Sequence, residues 1–136
     1  DPLPLAPAVA LSGGMLSGVK SAVSGGLHAD AALVLASEDG VPRLCIAELA
    51  GVERRRIGSF DNSRGPADLV FDRTPALLLD CPDAVGAALA LMARGAIVTA
   101  FEQVGGAEAL MLRARDYAVT RKAFGQPIGA FQSVKH

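Results

Sequence analysis

No proline occurs between Pro82 and Pro127, and this stretch constrains the fold of the chain more than any other. Apolar and small residues recur along it at steps of three or four, as on one face of an α-helix. The spacing predicts one helix from Asp83 to about Lys122, more than about 50 Å long. The predicted apolar stripe consists of Leu89, Met92, Ala96, Ala100, Gln103, Ala107, Leu110, Ala114 and Tyr117. A small β domain cannot cover such a stripe, so we expect groups outside this chain to cover it.

Four glycines lie inside the predicted helix: Gly86, Gly95, Gly105 and Gly106. Each lowers the helix propensity by about 1 kcal/mol relative to alanine. Two interpretations are open. The glycines could let a partner helix pack closely, or the helix could break at Gly105.

The first eighty residues have a different pattern, in which short apolar runs are separated by Gly, Pro and Asp-Gly clusters. Such runs are typical of β-strands, and Asp39-Gly40 is the strongest hairpin signal. The predicted strands are Met15–Val23, Ala31–Ser37, Arg43–Glu48, Glu53–Ile57 and Asp68–Phe71. The sequence therefore predicts an α+β fold: an antiparallel β sandwich or barrel in residues 1–80, then the long helix and the start of an α-helical bundle in residues 81–136.

Composition excludes few functions but narrows the class of protein. The net charge of −1 is spread without a basic patch, so we expect no nucleic-acid partner. Cys45 and Cys81 lie in apolar settings without metal-binding or disulfide spacing, which favours reduced, buried thiols and a cytoplasmic location. No apolar run approaches 18 residues without a polar residue or glycine, so we expect no membrane-spanning helix. The prolines near the N-terminus argue against a signal peptide, and the missing initiator Met favours a chain that is part of something longer.

The segment "YAVTRKAFGQPIGAFQSVKH" carries the residues with the most chemistry. Arg121 closes the predicted helix, and its guanidinium could bind a phosphate. Phe124 and Gly125 predict a sharp exit from the helix, and Pro127 fixes the next turn. A further helix is predicted from Ala130 or Phe131. From these residues alone, both a phosphate or nucleotide site and an ordinary corner between two helices are possible.

This segment resembles the "YAxxRxxFGxPIxxFQxxxH" motif of the acyl-CoA dehydrogenase family. Upstream, "LSGVKSAVSGGLHADAALVLA" is similar to that family's β-domain pattern of Gly-x-Lys, Ala-Asp and a closing strand. Together the two patterns extend from Gly13 to His136 in the family's order and spacing.

The resemblance implies a flavoenzyme that binds FAD and dehydrogenates an acyl-CoA thioester between its α and β carbons. By the same resemblance, Arg121 would hold the FAD pyrophosphate of a neighbouring subunit, Phe124 would lie near the adenine, and Gln132 would contact the same dinucleotide. Ser24 would bind the flavin edge. The implied partners are the acyl-CoA substrate, a homo- or hetero-oligomer (dimer or tetramer), and electron-transfer flavoprotein as electron acceptor.

Two positions depart from the family's pattern. Ala22 stands where the family has an aromatic residue beside the flavin. The catalytic glutamate of most members would lie beyond His136, and the minority position near Gly95 holds no acid, so we expect no catalytic base within this chain and no activity from these residues alone. We interpret Glu102 and Glu108 as structural or surface residues. A non-catalytic partner subunit and an acyl-CoA oxidase-like flavoenzyme therefore remain alternatives to the dehydrogenase.

The remaining polar residues have simpler interpretations. We interpret Asp61, Arg64 and Asp72 as structural ion pairs or turn caps. His28 and His136 have no acid or nucleophile at a spacing typical of a metal or catalytic site, so we expect no metal site.

Overall fold

The computed structural model describes residues 7–135, except for the side chain of Asn62. The chain divides into two compact units, Asp1–Leu91 and Met92–His136, which are described separately.

The first unit is built on a six-stranded sheet. Its strands are β1 (Ala10–Ser12), β2 (Met15–Val23), β3 (Ala31–Glu38), β4 (Val41–Glu48), β5 (Glu53–Arg56) and β6 (Ala67–Leu78). They follow the order β2-β1-β3-β4-β6-β5, and β2 also pairs with β6, which closes the sheet into a barrel. Every pairing is antiparallel except that of β1 with β3, where Ala10 lies opposite Ser37. The predicted class, a β barrel followed by a long helix, is confirmed.

The β3–β4 hairpin confirms the Asp39-Gly40 prediction. Both residues have a positive φ, 50° at Asp39 and 81° at Gly40, as a type I′ turn requires. Glu38 lies opposite Val41 directly beside the turn.

Strand β6 is much longer than the predicted Asp68–Phe71. Asp72, Arg73 and Pro75 interrupt the apolar pattern that predicted a short strand. The strand continues because Arg73 takes a positive φ of 49° at an irregularity in the β2–β6 pairing. This length allows β6 to pair with β2 along most of its length, with β5 at its start and with β4 at its end.

The barrel core is apolar and includes one thiol. Its largest fully buried side chains are Leu16, Leu49, Leu69, Val9 and Cys45. The Cys45 thiol donates a hydrogen bond of 3.4 Å to the Val34 carbonyl. Burial raises the pKa of Cys45, and the nearby ammonium of Lys20 partly offsets that rise.

The long helix, α1, runs without interruption from Ala84 to Thr120. The alternative of a break at Gly105 is therefore wrong. Asp83 caps the helix, because its Oδ1 accepts a hydrogen bond of 2.8 Å from the Gly86 N–H. A Cβ at Gly86 would clash with that carboxylate, so the cap, and not a partner helix, accounts for this glycine.

Among the described residues of α1, only the first turns and Ala118 near its end are covered or partly covered. Ala84 is buried against Leu35 and Leu44, with Ala87 and Ala88 packed alongside. From Ala90 to Tyr117 every residue of α1 is exposed.

The apolar residues of α1 are not confined to the single stripe expected from the sequence. Leu110, Met111 and Leu112 are consecutive and all exposed, so together they cover more than half of the helix circumference. A helix with so wide an apolar surface is normally packed against protein or membrane. By length and composition alone, α1 is long and apolar enough to cross a membrane, a property that the sequence analysis did not expect of any helix.

After α1 the chain forms a two-residue hairpin of β7 (Lys122–Ala123) and β8 (Gln126–Pro127). A 3-10 turn at Ile128–Ala130 and the short helix α2 (Gln132–Lys135) follow.

Candidate functional site

The hairpin after α1 positions the first predicted site residue, Arg121. The Arg121 N–H donates to the Tyr117 carbonyl at 2.8 Å, and its own carbonyl accepts from the Ile128 N–H at 2.8 Å. Arg121 is therefore fixed on one side by the last turn of α1 and on the other by the base of the hairpin. Its side chain is exposed, and it pairs with no carboxylate within residues 7–135.

Phe124 and Gly125 form the hairpin turn, not a simple exit from the helix. Their φ angles of 53° and 82° define a type I′ turn, with Ala123 opposite Gln126. A non-glycine residue with a positive φ at the first turn position is strained. The Phe124 and Phe131 rings meet edge to face with centroids 6.2 Å apart, and Phe124 stays 95% exposed.

Gln132 lies directly after Phe131 and is the first residue of α2, so the predicted start of a helix at Ala130 or Phe131 holds to within two residues. The turn before it packs on α1: a Cβ at Gly129 would lie 3.1 Å from the Ala118 carbonyl oxygen. This close approach needs a glycine. Arg121, Phe124 and Gln132 thus lie on one short segment that is tied to the last turns of α1.

Ser24, the fourth predicted residue, belongs to the first unit. It occupies a β-turn directly after β2, closed by a hydrogen bond of 3.1 Å from the Gly26 N–H to the Val23 carbonyl. Gly25 has a positive φ of 74°, as the third residue of a type II turn requires. The Ser24 side chain is exposed, and the next N–H, of Gly25, donates to the Arg64 carbonyl at 2.7 Å.

Arg54 holds the segment that follows Ser24, a role that sequence reasoning missed. Its Nη1 donates to the carbonyls of Gly26 and Leu27, and its Nη2 to those of Ala29 and Leu49, at 2.8 to 3.2 Å. In the sequence Arg54 is one of three consecutive arginines in a strand, a pattern that indicates only a solvated face.

Ala22 is in a conformation unusual for alanine. Its φ is 55°, at a bulge where β2 shifts register against β6 between Lys20 and Val23. The Ala22 N–H donates to Asp68 Oδ1 at 2.9 Å, a contact that the sequence did not indicate. The family that this sequence resembles has an aromatic residue at this position. Here the position holds an alanine in a strained, exposed bulge.

Glu102 and Glu108 lie on the exposed part of α1. At the minority position for the base, Gly95 offers only its carbonyl, which accepts a hydrogen bond of 2.9 Å from Thr99 Oγ1.

The interpretation of Asp61 as a turn cap is confirmed, because its Oδ1 accepts from both the N–H and the hydroxyl of Ser63, at 2.9 and 2.6 Å. These hydrogen bonds lower the pKa of Asp61, and Arg64 pairs with it at 3.5 Å.

Asp72 is exposed on β6. The His28 ring packs against Gly65, where a Cβ would come within 2.8 Å of it, and His136 lies outside the described residues.

Comparisons with known proteins agree with these structural features. Residues 85–136 match the family model of the acyl-CoA dehydrogenase C-terminal domain. A curated relative, acyl-CoA dehydrogenase IpdE2 of Mycobacterium tuberculosis (strain ATCC 25618 / H37Rv), is 39% identical over 80 residues, which are 59% of this chain and 23% of that protein.

Two solved structures illustrate the structural likeness. A variant of the Tcur3481-Tcur3483 steroid ACAD is 31% identical with a TM-score of 0.69, over 96% of this chain and 37% of that one. A glutaryl-CoA dehydrogenase from Mycobacterium smegmatis in complex with FADH2 has a TM-score of 0.82 at 21% identity, over 99% of this chain and 37% of that one, which shows the shared fold.

The chain spans about a quarter of the length of the curated relative and less than two-fifths of each of these solved chains. Within that span the family model, the curated relative and the structural neighbours agree, and all point to the acyl-CoA dehydrogenase family.

Proposed function

We propose that this chain supplies the FAD-binding part of an acyl-CoA dehydrogenase. In this proposal residues 1–80 are the central β domain, and residues 81–136 are the first part of the C-terminal helical domain. The reaction is the α,β-dehydrogenation of an acyl-CoA thioester to an enoyl-CoA. FAD, when bound, supplies the acceptor for the hydride that leaves the β carbon.

The observation that carries the proposal is the exposed Arg121, which pairs with no carboxylate within residues 7–135 and lies on a segment fixed at both ends. A guanidinium without a carboxylate partner can bind two phosphate oxygens through parallel hydrogen bonds. Phe124, almost fully exposed, offers a ring for an adenine, and the exposed Gln132 amide can donate and accept. These three groups fit the pyrophosphate and adenosine of FAD, so we propose that they hold the dinucleotide of a neighbouring subunit.

Ser24 fits the flavin end of an FAD molecule. Its hydroxyl is exposed at a turn that hydrogen bonds fix in place, so it can contact the polar edge of a flavin ring. Ala22 cannot cover that ring as an aromatic side chain would. We propose that Ser24 orients the flavin while the cover comes from other residues.

Within residues 7–135 we assign no catalytic base, since Glu102 and Glu108 lie on the exposed part of α1 and position 95 is glycine. Two observations, Ala22 and Gly95, also favour a second candidate: a non-catalytic subunit that completes its neighbour's FAD site in a heteromeric acyl-CoA dehydrogenase. In both cases the partners are acyl-CoA, a second subunit and electron-transfer flavoprotein as the electron acceptor. The cytoplasmic location remains a prediction that rests on the free thiols of Cys45 and Cys81.

The experiment is an Arg121→Ala substitution in the protein expressed from its complete reading frame. Loss of a charge-assisted phosphate contact should weaken FAD binding by about 1.5 to 3 kcal/mol, or about ten- to 150-fold. The matched control is Lys122→Ala, which removes a neighbouring exposed cation and should leave flavin content unchanged after gel filtration. Equal flavin content in the Arg121 variant and the wild type would contradict the proposal.

A further inference from the structure

We propose that Arg54 is a positioning residue for the flavin: it holds the turn that carries Ser24 in the orientation that binds the cofactor. The inference rests on the proposed function, because it assumes that Ser24 contacts FAD. It adds a residue that the family motif does not contain.

Four carbonyl oxygens converge on the one guanidinium of Arg54. Leu27 is nearest, at 2.8 Å from Nη1, followed by Ala29 at 2.9 Å from Nη2. Leu49 and Gly26 accept at 3.1 and 3.2 Å. All four bonds are partly buried. A planar group with several donors in a fixed fork can satisfy this arrangement, whereas a lysine ammonium has only three donors on a single nitrogen.

The barrel fixes the direction of the Arg54 side chain. Arg54 lies opposite Leu69 in the β5–β6 pairing, and Leu69 is fully buried. Directly opposite residues of an antiparallel pair extend to the same face of the sheet, so Arg54 extends from β5 to the inner face. Its neighbour Arg55 extends the other way and forms an exposed ion pair with Glu53 at 2.7 Å.

Arg54 acts on Ser24 through the residues that directly follow Ser24 in the chain. Gly26 and Leu27, whose carbonyls Arg54 binds, come two and three residues after Ser24. The same segment is held from the other side, because the Gly25 and Leu27 N–H groups donate to the Arg64 and Gly65 carbonyls at 2.7 and 3.1 Å. With Arg54 in place, the turn cannot shift without breaking several hydrogen bonds. Without it, three carbonyls of the segment lose their donor.

The test uses Arg54→Lys, which keeps the charge, with Arg56→Lys as the matched control. Arg56 lies on the same strand and is exposed. Each is made in the wild type and in a Ser24→Ala background, and the dissociation constant of FAD is measured by titration of flavin-free protein. We expect Arg54→Lys to raise the dissociation constant of FAD about tenfold in the wild type. In the Ser24→Ala background the same substitution should raise it less than about twofold, because the effects of mutations at residues that act as one unit do not add. Arg56→Lys should change it by less than about twofold in both backgrounds.

Hydrogen exchange of the wild type gives a second measurement that needs no variant. We expect the Leu27 and Ala29 amides to exchange slowly even without FAD, because the turn is already held. Free exchange of these amides without FAD would overturn the inference.

Equal losses from Arg54→Lys in both backgrounds would also overturn it, because they would show a general effect on folding. An unchanged dissociation constant in the Arg54 variant would overturn it while leaving the proposed function intact. A wild type that binds no FAD would instead overturn both.

Discussion

The ring of Phe131 meets the ring of Phe124 edge to face, with centroids 6.2 Å apart and planes at 85°. Edge-to-face pairs contribute about 0.5 to 1.5 kcal/mol beyond their buried area. Phe131→Leu should therefore release the Phe124 ring and weaken FAD binding by about this amount, or about two- to tenfold. Phe131→Tyr keeps the ring and is the control. Equal FAD affinity in the leucine and tyrosine variants, measured by flavin fluorescence titration, would show that the pair does not order the site.

Ala22 should tolerate glycine better than any ordinary strand position. Its φ of 55° costs an alanine about 1 kcal/mol that glycine does not lose, so Ala22→Gly should be neutral or stabilise the fold by up to about 1 kcal/mol. Ala31→Gly, at an exposed strand position, should destabilise it by about 0.5 to 1 kcal/mol. Urea unfolding measures both. A loss of stability in Ala22→Gly as large as that in Ala31→Gly would mean that Ala22 is not strained.

The start of α1 depends on the Asp83 cap. Asp83→Ala removes the acceptor for the Gly86 N–H and should lower the free energy of unfolding by about 1 kcal/mol. Asp83→Asn keeps a side-chain oxygen and should cost less than half of that. Asp80→Ala, at an exposed position before the helix, is the control and should cost less than about 0.5 kcal/mol. If both alanine variants melt at the same temperature, the carboxylate does not cap the helix.

The uncovered part of α1 should make residues 1–136 self-associate when they are expressed alone. Val98 and Phe101 are 69% and 76% exposed on this helix, so a charge there should reduce association. Sedimentation of Val98→Glu and Phe101→Glu against the control Thr99→Glu tests this, and we expect the first two to be smaller species. A monomeric wild type would contradict it. Flotation of the wild type with lipid vesicles would indicate that a membrane, not protein, covers α1.

The two thiols should differ sharply in reactivity. Cys45 is fully buried with a raised pKa, so its thiolate is rare at neutral pH and inaccessible, whereas Cys81 is half-buried. Because the pKa of Cys45 is higher in the folded state than in the unfolded state, its contribution to stability is lost as the pH rises above the ordinary thiol pKa. Mass spectrometry after brief alkylation should find Cys81 modified and Cys45 modified only after unfolding. Comparable rates at both cysteines in native protein would refute the burial of Cys45.

Local signals in the sequence predicted the elements they control directly. The Asp39-Gly40 pair fixed a hairpin because both positions need a positive φ. The recurrence of apolar residues at steps of three or four predicted α1 to within about two residues at each end. Its uninterrupted course past Gly105 could not be predicted, since glycine propensity allows either outcome.

Residues whose role depends on distant partners could not be recognised from the sequence. Arg54 binds carbonyls at positions 26, 27 and 29, which only the barrel brings to it. Asp68 contacts Ala22, 46 residues earlier, for the same reason. Conversely, the Phe124-Gly125 turn was expected to be a helix exit, because a helix end and a tight hairpin use the same positive φ.

The measurement that tests the central claim most directly is anaerobic titration of the flavin-loaded protein, expressed from its complete reading frame, with acyl-CoA thioesters. The panel should include short, long and steroid-derived acyl groups, and flavin absorbance and enoyl-CoA formation are followed together. We predict that at least one thioester bleaches the oxidised flavin with an equal amount of enoyl-CoA formed. Oxidised flavin that no thioester of the panel reduces would contradict the dehydrogenase and favour the non-catalytic subunit.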